Sequence, residues 1–515
     1  MEVVGIHHGH DAGAALVRDG RIVAAANEER FSRKKLHRGF PERSLKFVLE
    51  RAEDPDAIAV AGLYRRKRDL DRLRALSEEL EAPLYLVEHH AAHAASAYYT
   101  SGFNRCLTIT VDAAGDGLSA TVWACERGRM HRVATEPYYD SLGDFYANVT
   151  ELLGLKPMKD EGKVMCLAAY AEPDRRTLEW IESEVITVEE GRIRNLLGAI
   201  SGEAVRRLKR SPLAELDRER LAATAQRALE RLLLRYFSHY VEEYGERRVA
   251  YAGGVAANVV ANMRLREGLD LDLFVHPNMG DGGLAVGAAL WAWAQEELAR
   301  GRTPRPRRLE HVYLGPEYGR RAVERALERH GLLDRAERVG RDPEPLVDRL
   351  LEGRTVAVFH GRMEYGPRAL GARSILADPR DRAIVDRLNR ALGRERYQPF
   401  APTILEERAR DYLRRPCRSP FMTLAFRATE RLRREAPAVV HVDGTTRPQT
   451  LGDELPFYRE ILEEFEGRTG VGAVLNTSFN LHGEPIVRSP EDAVRALLKG
   501  AADALWIEGY LVDRG

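Results

Sequence analysis

The sequence predicts an α/β fold built on an internal duplication, followed by a second α/β domain. An apolar run at residues 3–6 enters the polar glycine loop His7-His8-Gly9-His10-Asp11-Ala12-Gly13. It returns through residues 14–17 to a turn at Arg18-Asp19-Gly20 and a third run at 21–26. The same order recurs from Leu107: an alternating run to Val111, a loop at 112–117, a run at 119–124, a turn at Glu126-Arg127-Gly128 and a run at 129–133. Apolar runs bounded by such turns read as strands in hairpins. Asp and Gly fall at corresponding places in both copies, which unrelated hairpins would not arrange. The third observation is Arg300-Gly301-Arg302-Thr303-Pro304-Arg305-Pro306-Arg307-Arg308. Its prolines, glycine and basic residues suit neither a core helix nor a central strand, so it marks a domain boundary. Strand, acidic glycine loop, strand, turn and strand, twice, with helices between, is the plan of an actin-like ATPase core, whose two loops grip phosphates from opposite lobes.

A chain of 515 residues, 44% hydrophobic and 31% charged, reads as globular with roughly two to four domains. Lys plus Arg and Asp plus Glu are equal at 79 each, so no general polyanion binding and no nucleic-acid partner are expected. Basic runs such as Arg65-Arg66-Lys67-Arg68 read as solvated faces. Cys106, Cys125, Cys166 and Cys417 form neither a CxxC pair nor a disulfide framework, which suits a reducing cytosol. The chain enters a strand at once without a basic-then-apolar leader, and no apolar run reaches membrane-span length. A cytoplasmic protein without a membrane partner is the expectation.

Between the copies, residues 27–41 are too charged for a core strand. They form either a solvated loop or a basic cluster beside the first glycine loop, where a lysine holds a polyphosphate or adenylate. Next comes Glu88-His89-His90-Ala91-Ala92-His93, opening an Ala-rich stretch to Tyr99 without Gly or Pro. Read as a helix, it stacks His89 and His93 on one face at i, i+4, where both can bind one ion, while His90 points elsewhere. Asp112 ends the strand at 107–111 and offers a third ligand. Two imidazoles and a carboxylate with open positions suit iron or zinc as a Lewis acid. Packing or solvation explains a His pair alone; Asp112 and the glycines after it favour the metal.

Further on, 146–154 reads as a helix ending at glycine, and 213–244 as a long amphipathic helix. The strand Arg248–Ala252 leads into Gly253-Gly254-Val255-Ala256-Ala257-Asn258 and a helix through Arg266, a setting in which backbone N–H groups can approach an anion. A strand at 273–275 precedes Asp281, a fourth metal ligand, and a helix at 284–298. Past the boundary, 318–329 and Glu344–Leu351 read as helices and Val356–Phe359 as a strand running into a loop at 360–376. Arginines and hydroxyls at strand ends there, at 397–402, 445–450 and 473–480, make a second anion site, since guanidinium forks suit phosphate or carbamoyl oxygens.

In this order, Gly9-His10-Asp11, Glu28-Glu29-Arg30-Phe31-Ser32-Arg33, residues 88–93, 112–117, Glu161-Gly162-Lys163-Val164-Met165, 253–258, 361–376 and Asn476-Thr477-Ser478-Phe479-Asn480 are specific. Over nearly its whole length the chain resembles the O-carbamoyltransferases of antibiotic and nodulation-factor biosynthesis. The resemblance implies an actin-like (ASKHA, RNase H-like) N-terminal domain at 1–303, similar to the tRNA threonylcarbamoyl-adenosine transferase. It implies an α/β YrdC-like domain at 304–515 that makes carbamoyl-adenylate from carbamoyl phosphate and ATP, with Mg2+. The first domain would pass the carbamoyl group to a hydroxyl of a small molecule, a natural product or sugar. His89, His93, Asp112 and Asp281 would hold Fe2+ or another divalent metal; Asp116, Gly253, Gly254 and Asn258 would position the nucleotide, and Lys35 would contact the adenylate. His10 would be the general base. Arg368, Arg447, Ser478 and Asn480 would bind carbamoyl phosphate and ATP, Arg368 and Ser478 acting in catalysis. The chain departs from the family at Leu36, where a His often follows the lysine, with His37 one place on. It departs again at Leu392 and Gln398, where many members carry Lys and Arg; Arg394 is nearby. Alternatives are carbamoyl or threonylcarbamoyl transfer to a macromolecule, or a non-catalytic nucleotide-binding regulator. A homodimer is left open.

Overall fold

The computed structural model describes residues 1–63 and 67–514, so Arg65 and Arg66 of the basic run lie outside the described residues. The chain forms two compact units, Met1–Glu28 with Arg38–Leu309, and Glu29–His37 with Glu310–Gly515. The second unit therefore takes nine residues, 29–37, from the N-terminal half.

The first unit holds two five-stranded sheets of one design. In the first, β1 (Glu2–His7), β2 (Gly13–Arg18) and β3 (Arg21–Asn27) run antiparallel, and β4 (Ala57–Ala61) and β5 (Leu84–Val87) add in parallel on the far side of β1, giving the order β3-β2-β1-β4-β5. In the second, β6 (Arg105–Gly115), β7 (Leu118–Glu126) and β8 (Arg129–Pro137) repeat the antiparallel meander. After the outlying hairpin β9 (Ile186–Glu189) and β10 (Arg192–Asn195), β11 (Arg248–Ala252) and β12 (Asp272–Val275) complete the order β12-β11-β6-β7-β8. This is a duplicated actin-like core. The repeat visible in the sequence covers three strands of each copy; the structure extends it to five and to the helix that follows.

Those two following helices, His89–Ser101 and Leu284–Ala299, pack on each other. Every residue of His89–Ser101 is buried, which explains its alanines: a helix enclosed on all sides has no room for a polar face. At Gly287 a Cβ would stand 1.9 Å from the Ala92 carbonyl oxygen, so the helices meet backbone to side-chain-free backbone. Glu88 starts the first helix by accepting from the N–H groups of His90 and Ala91, and Gly102 stops it at φ 76°.

Two helix starts differ from the sequence reading. The long helix begins at Arg218 rather than Leu213, because Pro212–Glu215 makes a separate 3-10 turn and Asp217 caps the α-helix through the Arg220 N–H. The helix expected at 146–154 spans Leu142–Leu152, capped by Ser141. Asp112 does not end its strand either: β6 continues to Gly115 through a register shift after Val111.

In the second unit the strands are β13 (Glu337–Arg338), β14 (Val356–Phe359), β15 (Arg373–Ala377), β16 (Ala401–Leu405), β17 (Phe426–Arg427), β18 (Thr445–Thr446), β19 (Gln449–Leu451), β20 (Ala473–Ser478), β21 (Ala504–Ile507) and β22 (Tyr510–Asp513). Eight form one mixed sheet, β13-β22-β21-β14-β15-β20-β16-β19, and β17 and β18 form a ribbon. No helix among the described residues is long and apolar enough to cross a membrane.

Candidate metal centre and active site

The four residues expected to bind metal come together in the first unit. His89 and His93 project from the first turns of the buried helix, Asp112 from the irregular end of β6, and Asp281 from the 3-10 turn Asp281–Gly283 that opens the partner helix. His93 Nε2 is 3.0 Å from Asp112 Oδ2 and 3.5 Å from Asp281 Oδ1; His89 Nε2 is 3.4 and 3.6 Å from the same atoms. Donors each about 2.1 Å from one ion stand roughly 3.0–3.4 Å apart at octahedral or tetrahedral angles. The four donor atoms lie within 4.8 Å of one another, a grouping that could hold one divalent ion after small side-chain adjustments. The register shift turns Asp112 toward the imidazoles, and its Oδ1 accepts from the Ala113 N–H at 2.7 Å. Burial alone would keep His93 neutral, but its bonds to Asp112 and Asp281 outweigh that and raise it to about 9. Burial also opposes the Asp112 charge, and hydrogen bonds from His89 and His93 more than reverse it, holding the carboxyl well below its usual range. His90 faces away, toward Thr110 Oγ1 at 2.8 Å and the Leu118 carbonyl at 3.2 Å, and burial pushes it down to about 3.

The pseudo-symmetry of the two copies runs through this centre. Asp11 and Asp116 occupy equivalent hairpin loops, both at positive φ, 58° and 48°. Asp116 accepts from the His89 N–H at 2.8 Å and from the Leu63 N–H, fixing the start of the histidine helix. Asp11 meets the start of the other helix: a Cβ at Gly282 would lie 2.8 Å from Asp11 Oδ2 and 2.7 Å from Asn278 Oδ1. Each hairpin loop thus lies at the start of the helix of the other copy, and Asp116 bonds to it. Glycines clear the remaining space. A Cβ at Gly115 would stand 2.1 Å from the His89 ring, one at Gly254 would stand 2.9 Å from Asp112 Oδ1, and one at Gly253, itself at φ 102°, would strike the Val111 carbonyl oxygen at 2.2 Å.

Other expected residues of this unit take varied positions. His10 is half-buried in the β1–β2 loop, its carbonyl accepting from His7 Nε2 at 2.9 Å. Asn258 is buried and its side chain serves the fold: Oδ1 accepts from the Ala261 N–H at 3.0 Å and caps that helix, and Nδ2 donates to Gln226 Oε1 at 2.8 Å. Gly253 is buried and its N–H donates to the Met279 carbonyl at 2.8 Å, whereas Gly254 is exposed. His7, which sequence reasoning passed over, is buried and close enough to Asp281 to help keep that carboxyl ionised. The equivalence of the two hairpin loops was the signal that could have drawn attention to it and to Asp11.

The second unit assembles its own polar loops. Ser478 ends β20 opposite Ser374 of β15. The loop carrying Arg368 is tied to neighbouring strands by Asn476 Nδ2 on the Ala369 carbonyl and Gln449 Nε2 on the Leu370 carbonyl, which brings the half-buried Arg447, two residues before Gln449, into the same region. Asn480 Nδ2 donates to the Leu481 and Glu484 carbonyls, while its buried Oδ1 lacks a hydrogen-bond partner. Arg394 Nη1 donates to Thr477 Oγ1 at 3.0 Å. Leu392 is buried at the end of helix Ala383–Leu392, and Gln398 bonds back to Glu395. Lys35 belongs to this unit and is exposed. Sequence reasoning also missed the buried pair beneath the Arg368 loop. Glu364 Oε1 accepts from the N–H groups of Leu370, Ala372 and Arg373, and the Arg373 guanidinium donates to the carbonyls of His360, Gly361 and Ala372.

Comparison with known proteins agrees in both halves. The family described as Carbamoyltransferase N-terminus matches residues 58–290, and Carbamoyltransferase C-terminus matches residues 347–514. An uncharacterized protein of Methanocaldococcus jannaschii is 38% identical, covering 99% of each chain. Nodulation protein NolNO of Sinorhizobium fredii is 37% identical over 98% of this chain and 79% of its own. Among solved structures, (R)-2-hydroxyglutaryl-CoA dehydratase component A of Acidaminococcus fermentans aligns with a TM-score of 0.38 and 18% identity, over 57% of this chain and 98% of that one.

Proposed function

Because the chain belongs to the carbamoyltransferase family, we propose that this enzyme is ATP-dependent and divides carbamoyl transfer into two half-reactions, one on each unit. On the second unit, carbamoyl phosphate and ATP give carbamoyl-adenylate. Atom balance requires one water: carbamoyl phosphate yields carbamate and phosphate, a carbamate oxygen attacks the α-phosphorus of ATP, and pyrophosphate leaves. Arg368 and Arg447 offset the phosphate charge, Ser478 and Asn480 hydrogen-bond the reactants, and Mg2+ accompanies ATP. Lys35, on the second unit, contacts the adenylate there; on the first unit, Gly253, Gly254, Asp116 and Asn258 position the nucleotide, and Asp116 also holds the His89 N–H. His10 takes the proton of the acceptor hydroxyl, whose oxygen bonds to the carbamoyl carbon as AMP leaves. The donor set His89, His93, Asp112 and Asp281 fits Fe2+ or a similar divalent ion, which when bound supplies Lewis-acid polarisation of the carbamoyl group. The acceptor is a small-molecule hydroxyl.

What supports this division most directly is the partition of polar chemistry: the imidazole–carboxylate cluster lies wholly in the first unit, and the loops bearing Arg368, Arg447, Ser478 and Asn480 lie wholly in the second. The test is incubation with ATP and carbamoyl phosphate without acceptor, followed by a panel of sugars and polyhydroxylated natural products. Carbamoyl-adenylate and pyrophosphate should form first, and AMP should follow only with a competent acceptor. Carbamoylated product without ATP consumption would overturn the proposal.

A further inference from the structure

The segment Glu29–His37 is set apart by its packing. It follows β3 in sequence, yet it belongs to the second unit. It makes one helical turn, Glu29–Ser32, then bends sharply with Arg33 at φ 59° and Leu36 at φ 53°. Left-handed conformations at non-glycine residues cost energy and persist only where neighbours enforce them. Glu29 does so by accepting from the Leu36 N–H at 2.8 Å. Despite its charge, the segment is solvated only in part: Lys34 and Lys35 are exposed, but Arg30 is 2% exposed and Phe31 8%.

Its two arginines reach different loops. Arg30 Nη2 donates to the Gly366 carbonyl at 2.6 Å, two residues before Arg368. Arg33 Nη2 and Nη1 donate to the Pro485 and Ile486 carbonyls, each at 2.7 Å, next to Glu484, whose own carbonyl is held by Asn480. Between them in sequence, Phe31 is buried, with the Arg488 guanidinium 4.9 Å from its ring centre. Burial depresses Arg373 to about 10, and the charge of Arg30 nearby adds a little to that. Burying a guanidinium is costly, and here carboxylates offset it, Glu29 Oε1 at 3.4 Å from Arg30 Nε and Asp492 Oδ1 at 3.6 Å from Arg33 Nε. Arg30 Nη1 has no hydrogen-bond partner among the described residues, so the bond from Nη2 to the Gly366 carbonyl is what ties this cation to the loop.

We infer that Glu29–His37 is a clasp that sets the spacing between the Arg368 loop and the Asn480 loop, with Arg30 and Arg33 as positioning residues. The inference deepens the proposed donor chemistry of the second unit and rests on that reading for its effect on rate. Its structural content stands separately, because loop order can be measured whatever the reaction.

The test compares wild-type protein with Arg30→Met, Arg30→Lys and Phe31→Leu in the full chain. Hydrogen exchange in 361–373 and 479–487 is followed alongside pyrophosphate release from ATP and carbamoyl phosphate. Phe31→Leu loosens packing and removes the ring beneath Arg488 but leaves the Arg30–Gly366 bond in place, so at 366–373 it controls for loss of stability. Arg30→Met should raise exchange at 366–373 at least tenfold over Phe31→Leu and lower kcat/KM for pyrophosphate release about tenfold. Arg30→Lys, which still presents one N–H to the Gly366 carbonyl, should recover most of both. Equal exchange in Arg30→Met and Phe31→Leu overturns the clasp. Selective exchange in Arg30→Met combined with a wild-type protein that releases no pyrophosphate supports the clasp and rejects the donor chemistry instead.

Discussion

Asp112 is the residue on which the metal centre depends most, because its Oδ2 lies within 3.4 Å of both imidazoles. Asp112→Asn removes the charge that holds His93 protonation high and should reduce Co2+ or Fe2+ uptake at least tenfold, measured by isothermal titration; unchanged uptake would place the ion elsewhere. A different carboxylate governs pH dependence. Glu136 of β8 is fully buried with Arg192 Nε at 3.2 Å, and burial outweighs that arginine to push it up to about 7 from an ordinary 4.5. The folded state therefore holds the Glu136 proton more tightly than the unfolded chain does. Its stabilising contribution is complete below pH 4.5 and is lost as pH rises through 7. Tm should fall between pH 5 and 7.5, and Glu136→Gln should flatten that part of the profile; an identical profile in the variant would contradict the assignment.

At the scale of elements, the contact between His89–Ser101 and Leu284–Ala299 carries the centre, since one helix supplies both imidazoles and the other begins directly after Asp281. Gly287→Ala would push a methyl into the Ala92 carbonyl and should cost about 1–3 kcal/mol or more by overpacking. Gly162→Ala, in helix Glu161–Leu167 with open space around it, should be neutral or stabilise by up to about 1 kcal/mol. Equal Tm shifts for the pair, read by calorimetry, would contradict the packing account. Much of this was legible beforehand: His89 and His93 follow from helical spacing, and the acidic glycine loops from their recurrence. The sequence did not reveal that Asp116 accepts from the His89 N–H or that Asn258 donates to Gln226, because neither partner is local to the residue that bonds it.

For the whole molecule, the hidden feature is the route of the chain. Residues 29–37 are charged and short, and nothing local to them says that they pack with residues more than 300 positions away, as Arg30 does with Gly366. The division of the reaction between two units is the central claim of the account, and it is tested most directly by two variants side by side. Wild type, Arg368→Ala and Asp112→Asn are incubated with ATP and carbamoyl phosphate without acceptor, and carbamoyl-adenylate and pyrophosphate are quantified. The account predicts that Asp112→Asn still forms adenylate within a fewfold of wild type, whereas Arg368→Ala forms little or none. Loss of adenylate in Asp112→Asn with full formation in Arg368→Ala would contradict it.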